Sequence, residues 1–330
     1  MTLRSFAAAL WLLGLTLFGL SFTSYAQLGG AEPLTLELTP AYPRPYQTVT
    51  VTPQSTLFDL AASTVVVTVN GTEVFRGSGA EPAYISAGAP GSATTVTVRA
   101  TTNGQTYTRS TTVRPAEVSL IVEPVSTAHP FYVGGTPVAS EGRVRLVALA
   151  DLRTSGGTRI ATDSLVYTWR NGEQILQASS GIGKSVLPAT APVRYRDARI
   201  TVTVSSQDKS VVAESAVTVS PSDPSIRVYR HDPLLGPLFG TALGSEFALQ
   251  DTEETFRAVP YFFPEQASIT WQVNGTQGDN DQDITVRATG AGSGAALLAV
   301  HAEASGSARS ADTRFRVRFG ERKSFSIFGL

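Results

Sequence analysis

Three aspartates, Asp279, Asp281 and Asp283, alternate within Gly278-Asp279-Asn280-Asp281-Gln282-Asp283. Carboxylates clustered in a loop are natural ligands for a hard cation such as calcium. The EF-hand loop is excluded, because Ile284 stands where its turn glycine belongs and Gly290 where its last glutamate belongs. Two readings stay open here: a loop calcium site of another design, or a solvated polar turn. The segment Ala178-Ser179-Ser180-Gly181-Ile182-Gly183-Lys184-Ser185 fits a relaxed phosphate-loop pattern. Phosphate binding there needs a helix that begins at Lys184 and turns its free amides toward the ligand. Pro188 and Pro192 follow too soon for such a helix, so an inter-strand loop is expected.

The three histidines, His129, His231 and His301, show no metal-ligand spacing, and the chain has no Gly-x-Ser-x-Gly elbow. His129 and His231 each precede a proline-containing bend, which points to a structural role. Trp169 and Trp271 have faces able to stack on sugars. Their place in the strand alternation turns them inward with Tyr167 and Ile269, however, so these four are expected in the core. Tyr261-Phe262-Phe263-Pro264 lies between strands; it either offers a sticky patch to a partner or glycan or plugs one end of a folded unit, and the plug is expected.

The elements that must position these residues are strands. Val67-Thr68-Val69-Asn70-Gly71, Tyr167-Thr168-Trp169-Arg170-Asn171-Gly172 and Ile269-Thr270-Trp271-Gln272-Val273-Asn274-Gly275 each run an apolar alternation into Asn-Gly, at intervals of about a hundred residues. That dipeptide accepts the positive φ of a tight hairpin. The interval is the size of one β-sandwich. Further alternating runs, such as Thr48–Thr52, Thr95–Arg99, Arg199–Val204 and Arg314–Phe319, fill the rest. Gly 29 and Pro 19 suit a strand-and-turn chain. The organisation expected is a signal peptide over 1–26, sandwiches over 34–115, 116–221 and 222–320, and a tail over 321–330. The second and third units also share Pro130-Phe131-Tyr132-Val133-Gly134-Gly135-Thr136 and Pro237-Leu238-Phe239-Gly240-Thr241 just after their opening strands, which points to duplication of one unit. Proline at the junctions, Arg114-Pro115 and Ser220-Pro221-Ser222-Asp223-Pro224, predicts a semi-rigid stalk.

At the amino terminus Arg4 precedes an uncharged run from Phe6 to Phe22, and Thr23-Ser24-Tyr25-Ala26 puts small residues at the −3 and −1 positions of a cleavage site. This is the pattern of an exported chain; an uncleaved segment would instead anchor it to a membrane. Removing Arg4 from 26 basic side chains leaves 25 against 27 acidic ones, a net charge of −2, with no basic stripe for nucleic acid. The chain has no cysteine, so no disulfide staples its units and no lipidated cysteine anchors it. At the other end, Phe325 and Ile327 alternate as a strand that adds to a partner's sheet edge would, with Phe328 beside them as a further contact, or the end simply frays.

On the tryptophan strand and the closing hairpin the chain resembles the immunoglobulin-like and polycystic-kidney-disease-type sandwich repeats of exported bacterial proteins. Trp169 and Trp271 match the core tryptophan of that class, and Val69 stands at the matching place of the first unit. The resemblance implies three tandem immunoglobulin-like β-sandwiches, all-β, in a non-enzymatic structural or binding protein at a bacterial cell envelope. The partner would be an envelope protein or a glycan, with no nucleic acid, and a membrane would be met only through an uncleaved signal or a partner. Two alternatives accompany it: a carbohydrate- or calcium-dependent adhesin acting through the third unit, and an accessory module of a secreted enzyme complex. No cofactor is expected beyond that possible calcium.

Overall fold

A computed structural model describes residues 32–278, 280–289, 292–304 and 309–320. The first sandwich holds β1 (Thr35–Thr39), β2 (Thr48–Gln54), β3 (Thr64–Val69), β4 (Thr72–Ser78), β5 (Ala83–Ser86), β6 (Thr94–Thr102) and β7 (Gln105–Val113). The second holds β8 (Glu117–Pro124), β9 (Arg143–Asp151), β10 (Val166–Asn171), β11 (Gln174–Ile175), β12 (Gly181–Ile182), β13 (Val186–Thr190), β14 (Ala198–Ser205) and β15 (Val212–Val219). The third begins with β16 (Ser225–Asp232), β17 (Gly236–Pro237), β18 (Glu246–Ala248), β19 (Glu253–Tyr261) and β20 (Ser268–Val273). It closes with β21 (Thr276–Gln277), β22 (Asp283–Arg287), β23 (Gly294–Glu303) and β24 (Ser310–Phe319).

In each unit one sheet joins the first, second and fifth principal strands, β1-β2-β5, β8-β9-β13 and β16-β19-β22. The facing sheet is built on the third, sixth and seventh, β3-β6-β7, β10-β14-β15 and β20-β23-β24. This is the immunoglobulin-like arrangement, repeated in tandem. Strict alternation produces it: in β6, Thr94, Val96, Val98 and Ala100 face inward while Thr95, Thr97, Arg99 and Thr101 face out. Three separate cores result, drawn from residues 34–113, 116–219 and 226–317. The chain crosses between sheets early in units two and three. β18 pairs parallel with β24, and Ala139 makes the corresponding parallel bridge to Ser222.

The Asn-Gly turns explain the repeat and correct one alignment. Asn70-Gly71, Asn103-Gly104 and Asn274-Gly275 all have positive φ at both residues, as a two-residue type I′ hairpin demands. Asn70 and Asn274 also clamp the neighbouring strand: their Oδ1 atoms accept from Thr95 N (2.9 Å) and Leu297 N (2.8 Å). In the second unit Asn171 is instead the last strand residue, paired with Gln174, and the turn is Gly172-Glu173. The turn has slipped by one residue, so counting back from Asn-Gly misaligns the units. The place of Trp169 and Trp271, opposite Val202 and Val300, is held in the first unit by Val67, opposite Val98, and not by Val69. Val67 is fully buried, whereas Val69 is only partly so.

Tyr167, Trp169, Ile269 and Trp271 are all buried. Each indole still needs a hydrogen-bond partner. Trp169 Nε1 donates to Lys184 O (2.8 Å) and Trp271 Nε1 to Asp281 O (3.0 Å), so the segment after each tryptophan strand is tied to the core from below. The first unit lacks that anchor; Phe58 and Tyr107 stack at 4.6 Å against its all-aliphatic centre.

Candidate functional site

The richest grouping of side chains lies where the second and third sandwiches meet. The outer face of the β16-β19 pair carries Tyr229, Val259 and Tyr261, all buried although they point away from the third core. They are covered by the connection from β8 to β9 (residues 125–142), which reaches across from the second unit with Ala128 and Tyr132. Backbone bonds fix it there. Thr127 N donates to Phe263 O (2.9 Å), Phe262 N donates to Thr127 O (2.8 Å), and Phe263 N donates to Thr127 Oγ1 (3.0 Å). Phe262 adopts φ +62°, a left-handed conformation unusual for a bulky side chain, and these bonds hold it.

His129 stacks on Phe239 with ring centres 4.6 Å apart and meets Tyr229 and Tyr261 edge-on. Its Nδ1 accepts from Phe131 N (3.0 Å). Beneath, the Tyr229 and Tyr261 hydroxyls share a hydrogen bond of 2.6 Å. Burial and then the Tyr229 hydroxyl push the Tyr261 phenol well above the ordinary tyrosine value. The two shared sequence elements, around Phe131 and Phe239, therefore meet each other. The likeness of the two elements was legible; their contact was not, because nothing in either element's spacing encodes the other. Thr127 and Tyr229, both essential to the joint, carried no sequence signal.

Beside the cluster a cleft of about 470 Å³ runs between the two units, lined by His129, Pro130, Phe239, Arg257, Gln266 and Gln282. Arg257 is committed: its Nε donates to Asp283 Oδ1 at 2.7 Å and its Nη2 to Asp283 Oδ2. His231 Nδ1 lies 3.0 Å from the same carboxylate. Burial pushes the Asp283 carboxyl up, yet Arg257 and His231 outweigh it and hold the group below its ordinary value.

Those contacts bear directly on the calcium expectation. Asp279 lies outside the described residues. Asp281 contributes its backbone carbonyl to Trp271, and Asp283 spends both carboxylate oxygens on Arg257 and His231. Asp283 is turned into the sheet face because it is the first residue of β22, where alternation sends it outward beside Arg257 of β19. Asp283 is thus engaged within its own sheet, and no group of three metal-ligating side chains occurs among the described residues, which do not include Asp279.

The remaining expectations resolve individually. The phosphate-loop segment is a 3₁₀ turn (Gln177–Ser179) followed by β12 on the edge of β10, with no helix after Lys184. The segment divides: Phe263 is fully buried in the third core, as a plug would be, whereas Tyr261 and the partly buried Phe262 pack at the junction of the two units. His301 faces solvent on the outer sheet of the third unit, with Nδ1 2.8 Å from Asp312 Oδ1 and Nε2 3.7 Å from Glu303. Phe325, Ile327 and Phe328 lie outside the described residues.

No family model and no curated protein matches the chain. Among solved structures it is similar to three N-terminal domains of the bacteriophage RB49 highly immunogenic outer capsid protein, at 11% identity over 89% of this chain and 100% of that one (TM-score 0.26). Fibronectin(III)-like modules of Clostridium thermocellum CbhA give 14% identity over 62% and 93% (TM-score 0.23). Immunoglobulin domains 1–5 of Sidekick-1 give 10% over 84% and 57% (TM-score 0.23). Superpositions this loose carry no functional argument, and the fold assignment stands on strand order and the three cores: the chain is a tandem of immunoglobulin-like β-sandwiches.

Proposed function

We propose that this chain is an exported, non-enzymatic structural or binding protein, which spaces or presents an interaction surface at a bacterial cell envelope. The observation that carries the reading is the joint between the second and third sandwiches. Backbone bridges and an aromatic cluster fasten two independently cored units, which is what a spacer that must hold orientation requires. The leader-like segment over residues 1–26 supports export. A calcium-dependent adhesin through Asp279, Asp281 and Asp283 is the weaker reading, because Asp283 already serves Arg257 and His231.

The test is fractionation of bacterial cells expressing the epitope-tagged chain, with amino-terminal sequencing of the product. The expected result is recovery with the envelope or the medium, beginning at Gln27. Full-length protein in the cytoplasm would overturn the proposal.

A further inference from the structure

The third sandwich closes the margin between its first and last strands with an extra piece of chain. β18 runs parallel to β24; Arg316 N donates to Ser245 O and Leu249 N donates to Arg318 O, both at 2.8 Å. Phe247 and Leu249 pack from this piece onto the third core, while Glu246 approaches Arg316 (3.5 Å) and Arg318 (3.6 Å). In the same unit the inward residues of β16, Ile226 and Val228, are buried.

The first sandwich has no such piece. Leu36 and Leu38 hold the places of Ile226 and Val228, for Leu36 lies opposite Pro53 as Ile226 lies opposite Pro260. Both leucines are nevertheless only partly buried. The loop over residues 40–47 is too short to run back along β7, and its Pro43 meets the chain only at Ala116, past the end of that strand. The edge of β7 is therefore open. Thr95 turns its N–H and its carbonyl to Asn70, so Thr112 across the ladder turns its own to the free edge, as do Thr108 and Ser110. No proline, lysine or bulge guards those positions. Beside them is a cleft of about 200 Å³, lined by Thr111 and Val113 on one side and by Leu38, Tyr42 and Pro43 on the other, with Lys209 of the second unit along it.

The sequence of the chain contains a piece that matches the missing one. Ser324-Phe325-Ser326-Ile327 repeats the order of Glu246-Phe247-Ala248-Leu249, an aromatic and an aliphatic residue separated by a small one. The difference at the first position is matched on the receiving strand. Val98 faces Arg109 as Val300 faces Thr313, so Thr112 stands where Arg316 stands in the third unit, and Ser324 stands where Glu246 does. A hydroxyl pair thus takes the place of an ion pair. The segment cannot serve its own first unit. β24 opens beside Arg309, which approaches Glu141 of the second unit (3.4 Å), and its ten residues then run about 30 Å away. Phe325 follows Phe319 by six residues, a reach of about 20 Å.

We propose that residues 324–327 of one copy add as a strand, parallel to β7, along residues 110–114 of the first sandwich of another copy, with Phe325 entering the cleft beside Val113. Donor and acceptor lie on different units and out of each other's reach, so the contact is heterologous and propagates head to tail instead of closing as a symmetric pair. This inference does not rest on where the protein resides.

Sedimentation of the purified full chain over a concentration series, with a photo-crosslinking side chain at position 326, tests it. Wild type should gain mass with concentration and crosslink to residues 38–43 or 108–114 of a second copy. Phe325→Asp, which leaves every described core residue in place, should weaken association about a hundredfold. Thr112→Pro removes an N–H that no internal bond uses and should do the same; an unchanged melting temperature checks that it folds. An equimolar mixture of the two variants should recover dimers and nothing larger, because one retains the acceptor edge and the other the donor segment. Wild type that stays monomeric throughout, association that survives Phe325→Asp or a folded Thr112→Pro, or crosslinks confined to other parts of the chain would each overturn the proposal.

Discussion

The two junctions of this molecule are built differently. Between the second and third sandwiches, the connection over residues 125–142 crosses the linker and lays Thr127, Ala128, His129 and Tyr132 on the outer face of the next sheet. Arg309 adds approaches to Glu141 (3.4 Å) and Glu265 (3.5 Å). Between the first and second sandwiches, the connection in the same topological place spans only residues 40–47 and contains Pro40, Pro43 and Pro45. It meets the linker, where Ala116 N donates to Pro43 O (3.3 Å), and Ala41 and Tyr42 share a small cleft with Lys209, Ser210 and Val212, but no ion pair among the described residues crosses that joint. The lesson is that linker composition does not decide stiffness. Both linkers contain proline; the length of one loop inside the preceding sandwich separates a joint of linker and close packing from one also fastened by an aromatic cluster and backbone bonds between the units.

The largest expected effect comes from removing the centre of the fastened joint. Tyr261→Ala deletes a buried ring and strands the Tyr229 hydroxyl, and should destabilise the third sandwich by about 3–4 kcal/mol. Calorimetry should show a single transition for units two and three in wild type and two transitions in the variant. The matched truncation at the other joint, Tyr42→Ala, removes a side chain that is 41% exposed and should cost no more than about 0.5 kcal/mol. Equal losses at the two sites would erase the distinction between the joints.

A smaller effect is expected at Gly91, the closest packing of the first joint. It has φ +80°, and a Cβ there would lie 2.9 Å from Thr154 O and 3.0 Å from Arg153 Cβ. Gly91→Val should cost about 1–2 kcal/mol for the left-handed backbone alone. It should also part the first two units, seen as a broader distance distribution between spin labels placed on each. The second and third units should keep their melting temperature. A fall there would mean that strain passes through the first joint, and that it is fastened too.

Much of the architecture was legible in the residues because a strand's burial has period two, and Val96-Thr97-Val98 or Ile269-Thr270-Trp271 can satisfy a half-buried sheet in only one register. The turn dipeptide was a less faithful marker. Asn171-Gly172 looks like Asn70-Gly71, yet the hairpin there begins one residue later, and the tryptophan equivalence moved from Val69 to Val67 with it. The joint was not legible, since it depends on where one loop lands after two sheets have formed. Asp283 shows the same limit on a single side chain. Its neighbours in sequence, Asp279 and Asp281, suggested a cation, but its neighbours in space, Arg257 and His231, lie 26 and 52 positions away.

That carboxylate gives the smallest and most local test of the comparison, through pH. Its folded value is held below the ordinary one, so its contribution is fully present above the ordinary carboxylate value of about 4 and is lost as pH falls through that value toward the lower folded one. The pair is partly exposed, and Asp283→Asn should cost about 1 kcal/mol at neutral pH. The cleft beside the fastened joint is lined by Arg257, so acid should loosen the third sandwich and its hold on residues 127–132, while the first joint has no such pair to lose. Hydrogen exchange at Phe262 and Phe263, compared between pH 6 and pH 3.5, reads this directly. Protection should drop in wild type and already be reduced, and flatter with pH, in Asp283→Asn. An acid response identical in the two proteins would assign the sensitivity to some other carboxylate and leave the fastened joint without an electrostatic component.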